Sequence, residues 1–219
     1  MSDPPNVPQE FIRCLEVMAD NKFVLGDRLV EIGISAPEME AKLACISLAQ
    51  SELGHARILY NWAQDLSGQT DPEDMGRWNI DNSGEIRQQT GKAFEEIVNV
   101  DGWIDLIAAI CVAETALDIV IDGMIEARPE EMKDRMHKLI KEQEEPLSFA
   151  MEWGRKLLND RGRVPEAFED AIESMLPSAR EWLQSLDESK TFHKGGFFPE
   201  RTEFEALFHD RIENLRATQ

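Results

Sequence analysis

A chain of 219 residues can bury a sizeable core, and a content of 42% hydrophobic and 30% charged residues is that of a soluble globular protein. The formal net charge of −20, from 43 acidic against 23 basic side chains, disfavours phosphate backbones and anionic membranes, so no nucleic-acid partner is expected. No run approaches the roughly 18–20 apolar residues of a membrane span, and no basic amino-terminal region precedes an apolar stretch, so neither membrane insertion nor secretion is expected.

The three cysteines, Cys14, Cys45 and Cys111, are far apart and set among apolar neighbours. They read as small core residues in a reducing compartment, and the protein is expected to be cytoplasmic. Without a low-complexity linker, residues 1–219 are expected to form one domain.

Between prolines and glycines, apolar residues recur at helical rather than alternating spacing, which predicts an all-α chain. Helix A runs from about Gln9 to Ile32 and ends at the turn Gly33-Ile34-Ser35-Ala36-Pro37. Helix B starts with Pro37 in its first turn and continues to about Leu66. From Ser67 to Asn99 the chain is broken by Gly68, Pro72, Gly76 and Gly84, which suits a crossover with room for a short helix over 86–98. Helix C is expected from about Asp101 to Ala127, with a turn at Arg128-Pro129. Helix D then extends to about Asn159, kinked by Pro146. Two further helices, near Glu166–Leu186 and Pro199–Arg216, flank a Gly195-Gly196 loop. Antiparallel pairs A/B and C/D joined by a long crossover are the connectivity of a ferritin-like four-helix bundle.

On helix B, Glu52 precedes His55 by three residues, so both project from one side of the helix. In a chain this acidic such a pair is common by chance, and Asp134 with His137 is a second example. Position discriminates between them. Ala41, Cys45, Leu48, Glu52, His55 and Leu59 share one stripe that is otherwise apolar or small. Helix C repeats the pattern: Trp103, Ile107, Ile110, Leu117 and Ile121 form an apolar stripe interrupted by Glu114. An ionised carboxylate there costs several kcal/mol unless a cation or metal compensates it.

Counting back from the hairpin turns sets Glu114 opposite residues 142 and 143, and Glu52 opposite residues 18 to 20, within reach of Asp20. His137 falls nearer the turn, at the rim. Helix A carries Lys22 on its most apolar stripe of Phe11, Leu15, Met18, Leu25 and Leu29. The residues leave two readings open. In one, Asp20, Glu52, His55, Glu114 and Glu142 or Glu145 hold one or two iron ions, a ligand set suited to iron or manganese. In the other, Lys22 neutralises Glu52 and Glu114, and the centre is a metal-free ion-pair network.

Several separated segments carry a family resemblance: Gly26-Asp27-Arg28-Leu29-Val30-Glu31 with Ala36-Pro37, Leu48-Ala49 through Gly54-His55-Ala56-Arg57, Ala113-Glu114-Thr115-Ala116, Lys141-Glu142 through Trp153, and Gly195-Gly196 followed by Glu200-Arg201-Thr202-Glu203. In order and spacing they resemble the phenylacetate-catabolism family that contains the catalytic and structural subunits of the ring-epoxidising phenylacetyl-CoA monooxygenase. For a catalytic member the resemblance implies a multicomponent di-iron oxygenase acting on an aromatic acyl-CoA, supplied with electrons by a reductase. For a structural member it implies a metal-free scaffold that pairs with homologous helical subunits. Glu52, His55 and Glu114 match the ligands of catalytic members, whereas Gln143 and Pro146 stand where the helix D glutamate and histidine would be. Lys190, Lys194 and Arg201 are cations that a CoA phosphate could meet, although such residues are more often solvated.

Overall fold

A computed structural model of the chain describes residues 9–67, 91–190, 192 and 196–217. Residues 68–90 of the crossover expected from Ser67 to Asn99, which include the start of the short helix near Ile86, and Lys194 and Gly195 lie outside the described residues. Helix α1, Gln9–Gly33, and helix α2, Met39–Ser67, form an antiparallel hairpin. The turn between them satisfies carbonyls that a helix end leaves open: Ser35 N–H donates to Ile32 O at 2.8 Å, Ala36 N–H to Gly33 O at 3.1 Å, and Ser35 Oγ to Ile32 O at 2.7 Å.

The two helices lie close because glycine faces them. A Cβ built on Gly33 would stand 2.5 Å from Cys45 Cβ, and one on Gly26 would stand 2.9 Å from Leu53 Cγ and 3.3 Å from Ala49 O. The resemblance segment that begins at Gly26 therefore has a packing role. In the same segment the buried Arg28 donates to Val100 O at 3.2 Å, to Asp27 Oδ2 at 3.1 Å, and to Glu31, tying α1 to the chain that enters the next long helix.

Beyond a single turn, α3 at Glu95–Val98, the central helix α4 spans Trp103–Ala127. Every residue from Leu106 to Leu117 is buried. A helix apolar around its whole circumference belongs at the centre of a bundle. Accordingly α4 packs against α1 and against the helices that follow: α5 at Pro129–Glu142, α6 at Glu144–Leu158, α7 at Val164–Glu188 and α8 at Phe204–Ala217. α5 also lies on α2, which completes the bundle around α1, α2, α4 and α5–α6. The fold is the all-α, ferritin-like arrangement expected from the sequence, and the described residues contain no strand.

Helix D departs from expectation. Instead of one helix kinked at Pro146, the chain forms two helices that meet at Gln143. Pro146 lacks an N–H, and its ring conflicts with the carbonyl four residues back, so the interruption falls a turn before the proline. Met136 adds a second irregularity inside α5, with φ −124° and ψ 22°.

At the other end of the molecule, Asp187 on α7 caps α8. Its carboxylate accepts from the Phe204 and Glu205 amides, each at 3.0 Å, and from Thr202 Oγ1 at 2.6 Å. A borrowed side chain thus satisfies the open donors of a helix start. The preceding loop is held by Arg128, which donates to Gly196 O at 2.7 Å and lies 4.0 Å over the Phe197 ring. Gly196 has φ +67°, a conformation that favours glycine.

Candidate functional site

Three helices deliver charge to one sealed position. α1 contributes Lys22, α2 contributes Glu52 and His55, and α4 contributes Glu114, with all four residues at most 2% exposed. Each occupies a core-facing position on an otherwise apolar stripe, so helix periodicity points them at one another. Lys22 Nζ donates to Glu114 Oε2 at 2.5 Å and lies 3.1 Å from Glu52 Oε2 and 3.4 Å from Glu52 Oε1. The ammonium stands between the two carboxylates.

A line of polar groups continues outward from this pair. His55 Nδ1 lies 3.7 Å from Glu52 Oε1, and His55 Nε2 lies 3.2 Å from Glu142 Oε2. Glu142 is the last residue of α5, its side chain is 26% exposed, and Lys138 Nζ approaches it at 3.9 Å. The centre therefore reaches the surface through His55 and Glu142.

Electrostatics separates the two buried acids. Burial alone would raise the Glu52 carboxyl, but the Lys22 ammonium and His55 outweigh it and hold the group below its ordinary range. Burial raises Glu114 too, and repulsion from Glu52 adds to it; against these Lys22 is insufficient, and the group is pushed up to about 8. Burial works against the charge on Lys22, yet the two carboxylates more than compensate and its ammonium is stabilised above the ordinary value. Burial and the neighbouring Glu52 thus favour the protonated form of Glu114, while Lys22 supports the ionised form of Glu52. This division limits the uncompensated charge in the interior, where an unbalanced ion is most costly.

The structure brings together Glu52, His55, Glu114 and Glu142, but not the other sequence candidates. Asp20 faces another way: it accepts from the Tyr60 hydroxyl and, through Oδ2, from the Lys92 amide at 2.9 Å. Glu145, in the first turn of α6, is exposed, as is His137. Gln143 is buried at the helix junction, with no hydrogen-bond partner for its Oε1. Lys190 and Arg201 are exposed. Among the described residues, no group of three or more His, Cys, Asp or Glu side chains is disposed to hold a metal ion.

Reading the sequence missed the partners of Asp20 and the role of Asn21. Asn21 donates to Val17 O at 2.8 Å and accepts from the Phe94 amide at 3.0 Å, fastening the loop before α3 to α1. Adjacent polar residues inside an apolar helix were the available signal for Asp20 and Asn21. Nothing local marked Lys92 or Phe94 as their partners.

Among the described residues, no helix is long and apolar enough to cross a membrane. No curated protein matches the chain. A family model described as phenylacetic acid catabolic protein matches residues 2–218, almost the whole length, and the chain belongs to that family.

Proposed function

We propose that this chain is a non-catalytic scaffold subunit of a phenylacetyl-CoA-epoxidase-like multicomponent monooxygenase, pairing with a catalytic homologue that carries the di-iron chemistry. The observation that carries this reading is Lys22. Its ammonium lies within hydrogen-bonding distance of both Glu52 and Glu114, so the chain itself supplies the cation that these buried acids require. The donor atoms are of a kind that iron accepts. Their arrangement nevertheless does not fit a di-iron centre: a cation is already in place, α1 adds no carboxylate, and α5–α6 add Glu142 without a histidine beside it.

On this reading the buried centre is a charge-balanced plug that conserves the bundle's geometry. Dioxygen activation, the reductase contact and the aromatic acyl-CoA site belong to the partner. Free, buried thiols at Cys14, Cys45 and Cys111 suit the cytoplasmic setting such an assembly requires.

The rival reading keeps Glu52, His55, Glu114 and Glu142 as iron ligands, favoured by their convergence, and requires Lys22 to leave the centre. Elemental analysis of protein purified after growth with iron decides between them. The scaffold reading expects less than about 0.1 iron per chain, a nominal threshold for an unfilled site. One or two irons per chain, lost on His55→Ala, would overturn it.

A further inference from the structure

Large apolar side chains left in water concentrate on one part of the molecule. Val30, Ile34, Met39, Leu43 and Ile46 are 51–70% exposed, and all five lie on the α1–α2 hairpin; Leu207 on α8 is a separate case at 48%. On α2, positions 39, 43 and 46 recur at four and three residues and so share one face, away from the core-facing Cys45, Leu48, Glu52 and His55. On α1, Val30 and Ile34 also share a face. Gly33 against Cys45 and Gly26 against Leu53 set the antiparallel register, which brings Val30 and Ile34 to the outer edge bordering Met39, Leu43 and Ile46. Further along the hairpin, Phe23 and Ala56 are buried and pack with Leu53 and Tyr60 in a small cluster outside the main core. α2 is thus apolar on two faces, and the described residues cover one of them.

The five side chains expose on the order of 500 Å² of mostly apolar surface, at the upper end of what a lone monomer usually shows. With a polar rim added, this approaches the roughly 800 Å² per partner of a standard stable interface. The rim is acidic. Residues 27–50 carry Asp27, Glu31, Glu38 and Glu40 against Arg28 and Lys42; Arg28 is buried and already paired with Asp27 and Glu31, and Lys156 of α6 reaches Glu38 at 3.9 Å. A second copy docking by this face would bring the same acids against themselves on a chain whose net charge is already −20.

We infer that the outer α1–α2 face is the docking surface for a different helical subunit, one that presents an apolar stripe flanked by lysine and arginine. The inference rests on the scaffold reading above and specifies where that scaffold holds its partner. Leu43 and Ile46 are the central contacts, and the acidic rim sets orientation and association rate.

The test pairs the purified chain with a catalytic homologue of the same family from the same genome, one that carries both Glu-x-x-His pairs. Sedimentation and calorimetry are run on the wild type and on the Leu43→Asp/Ile46→Asp variant. Because both residues are exposed, the variant should keep the wild-type melting curve, which separates docking from folding. The expected result is a complex that weakens as salt rises and binds about 100-fold less tightly in the variant. Equal binding by the variant would overturn this face and leave the scaffold reading standing. A wild-type homodimer that the two substitutions dissolve would overturn the choice of partner. No wild-type complex at all would overturn the scaffold reading and this inference with it.

Discussion

Lys22 Nζ lies 2.5 Å from Glu114 Oε2, with both side chains closed off from solvent and the two residues 92 positions apart in the sequence. Glu52 takes the other side of the same ammonium. The three groups depend on one another, because the Lys22 ammonium is the counter-charge that lies against both buried acids.

Lys22→Met should be among the most destabilising single substitutions in the chain, at about 3–5 kcal/mol, since it strands two buried carboxyls. Adding Glu52→Gln and Glu114→Gln should return much of that loss, because no ion then remains without a counter-charge. Urea denaturation of the single and triple variants checks both steps. A Lys22→Met protein as stable as wild type would show that the ammonium does not balance the acids.

The pH dependence has a definite sign. Glu114 has a folded-state value of about 8 against an ordinary 4.5, so the folded protein binds this proton more tightly than the unfolded chain does. The contribution is complete below about pH 4.5 and is lost as the pH rises through 8. Glu52 acts in the opposite sense: its stabilising effect holds above the ordinary carboxylate range and fades as the medium turns acidic. Stability should therefore fall as the pH rises from about 4.5 to about 8 in the wild type and fall less in Glu114→Gln. Denaturation midpoints across that range supply the comparison.

Gly33→Ala should cost about 1–3 kcal/mol, as overpacking does, because the added carbon would lie 2.5 Å from Cys45 Cβ, an atom fixed to the opposing helix. Gly26→Ala should cost less, since its nearest neighbour is the movable Leu53 side chain. Combining Gly33→Ala with Cys45→Gly removes the clash and should recover part of the loss. Thermal melts of the three variants rank the effects.

Asp187→Ala should loosen the start of α8 and cost about 1–2 kcal/mol, because the carboxylate satisfies the Phe204 and Glu205 amides. Faster amide exchange confined to the first turn of α8 is the expected signature. Exchange unchanged there would assign the cap to another group.

Helices A, B and C were legible because a 3.6-residue apolar period is a local property. Their ends fell within two residues of expectation: Ile32 against Gly33, Pro37 against Met39, Leu66 against Ser67, and Asp101 against Trp103. Helix D was less legible because a proline acts on the turn before it, which moved the break to Gln143. Turn counting set Glu52 opposite residues 18 to 20, whereas Gly26 against Leu53 places it level with residues nearer 26 and Asp20 lies against Tyr60, because the hairpin turn is centred several residues later than residue 35. Nor did turn counting decide which side chain of α1 would face the buried acids. Asp20 and Lys22 differ by about 200° around a helix, so one rotation of α1 chooses between a carboxylate and an ammonium.

By itself, then, the sequence determined an all-helical chain with Glu52, His55 and Glu114 on core-facing stripes, since periodicity within each helix settles which residues turn inward. Only the tertiary structure decided that Lys22 rather than Asp20 meets those acids, that Glu142 rather than Glu145 meets His55, and that the described residues leave one apolar face of α2 uncovered. The physical reason is that charge balance and burial belong to groups brought together from distant helices, and their rotation and register are set by the packing of the whole bundle.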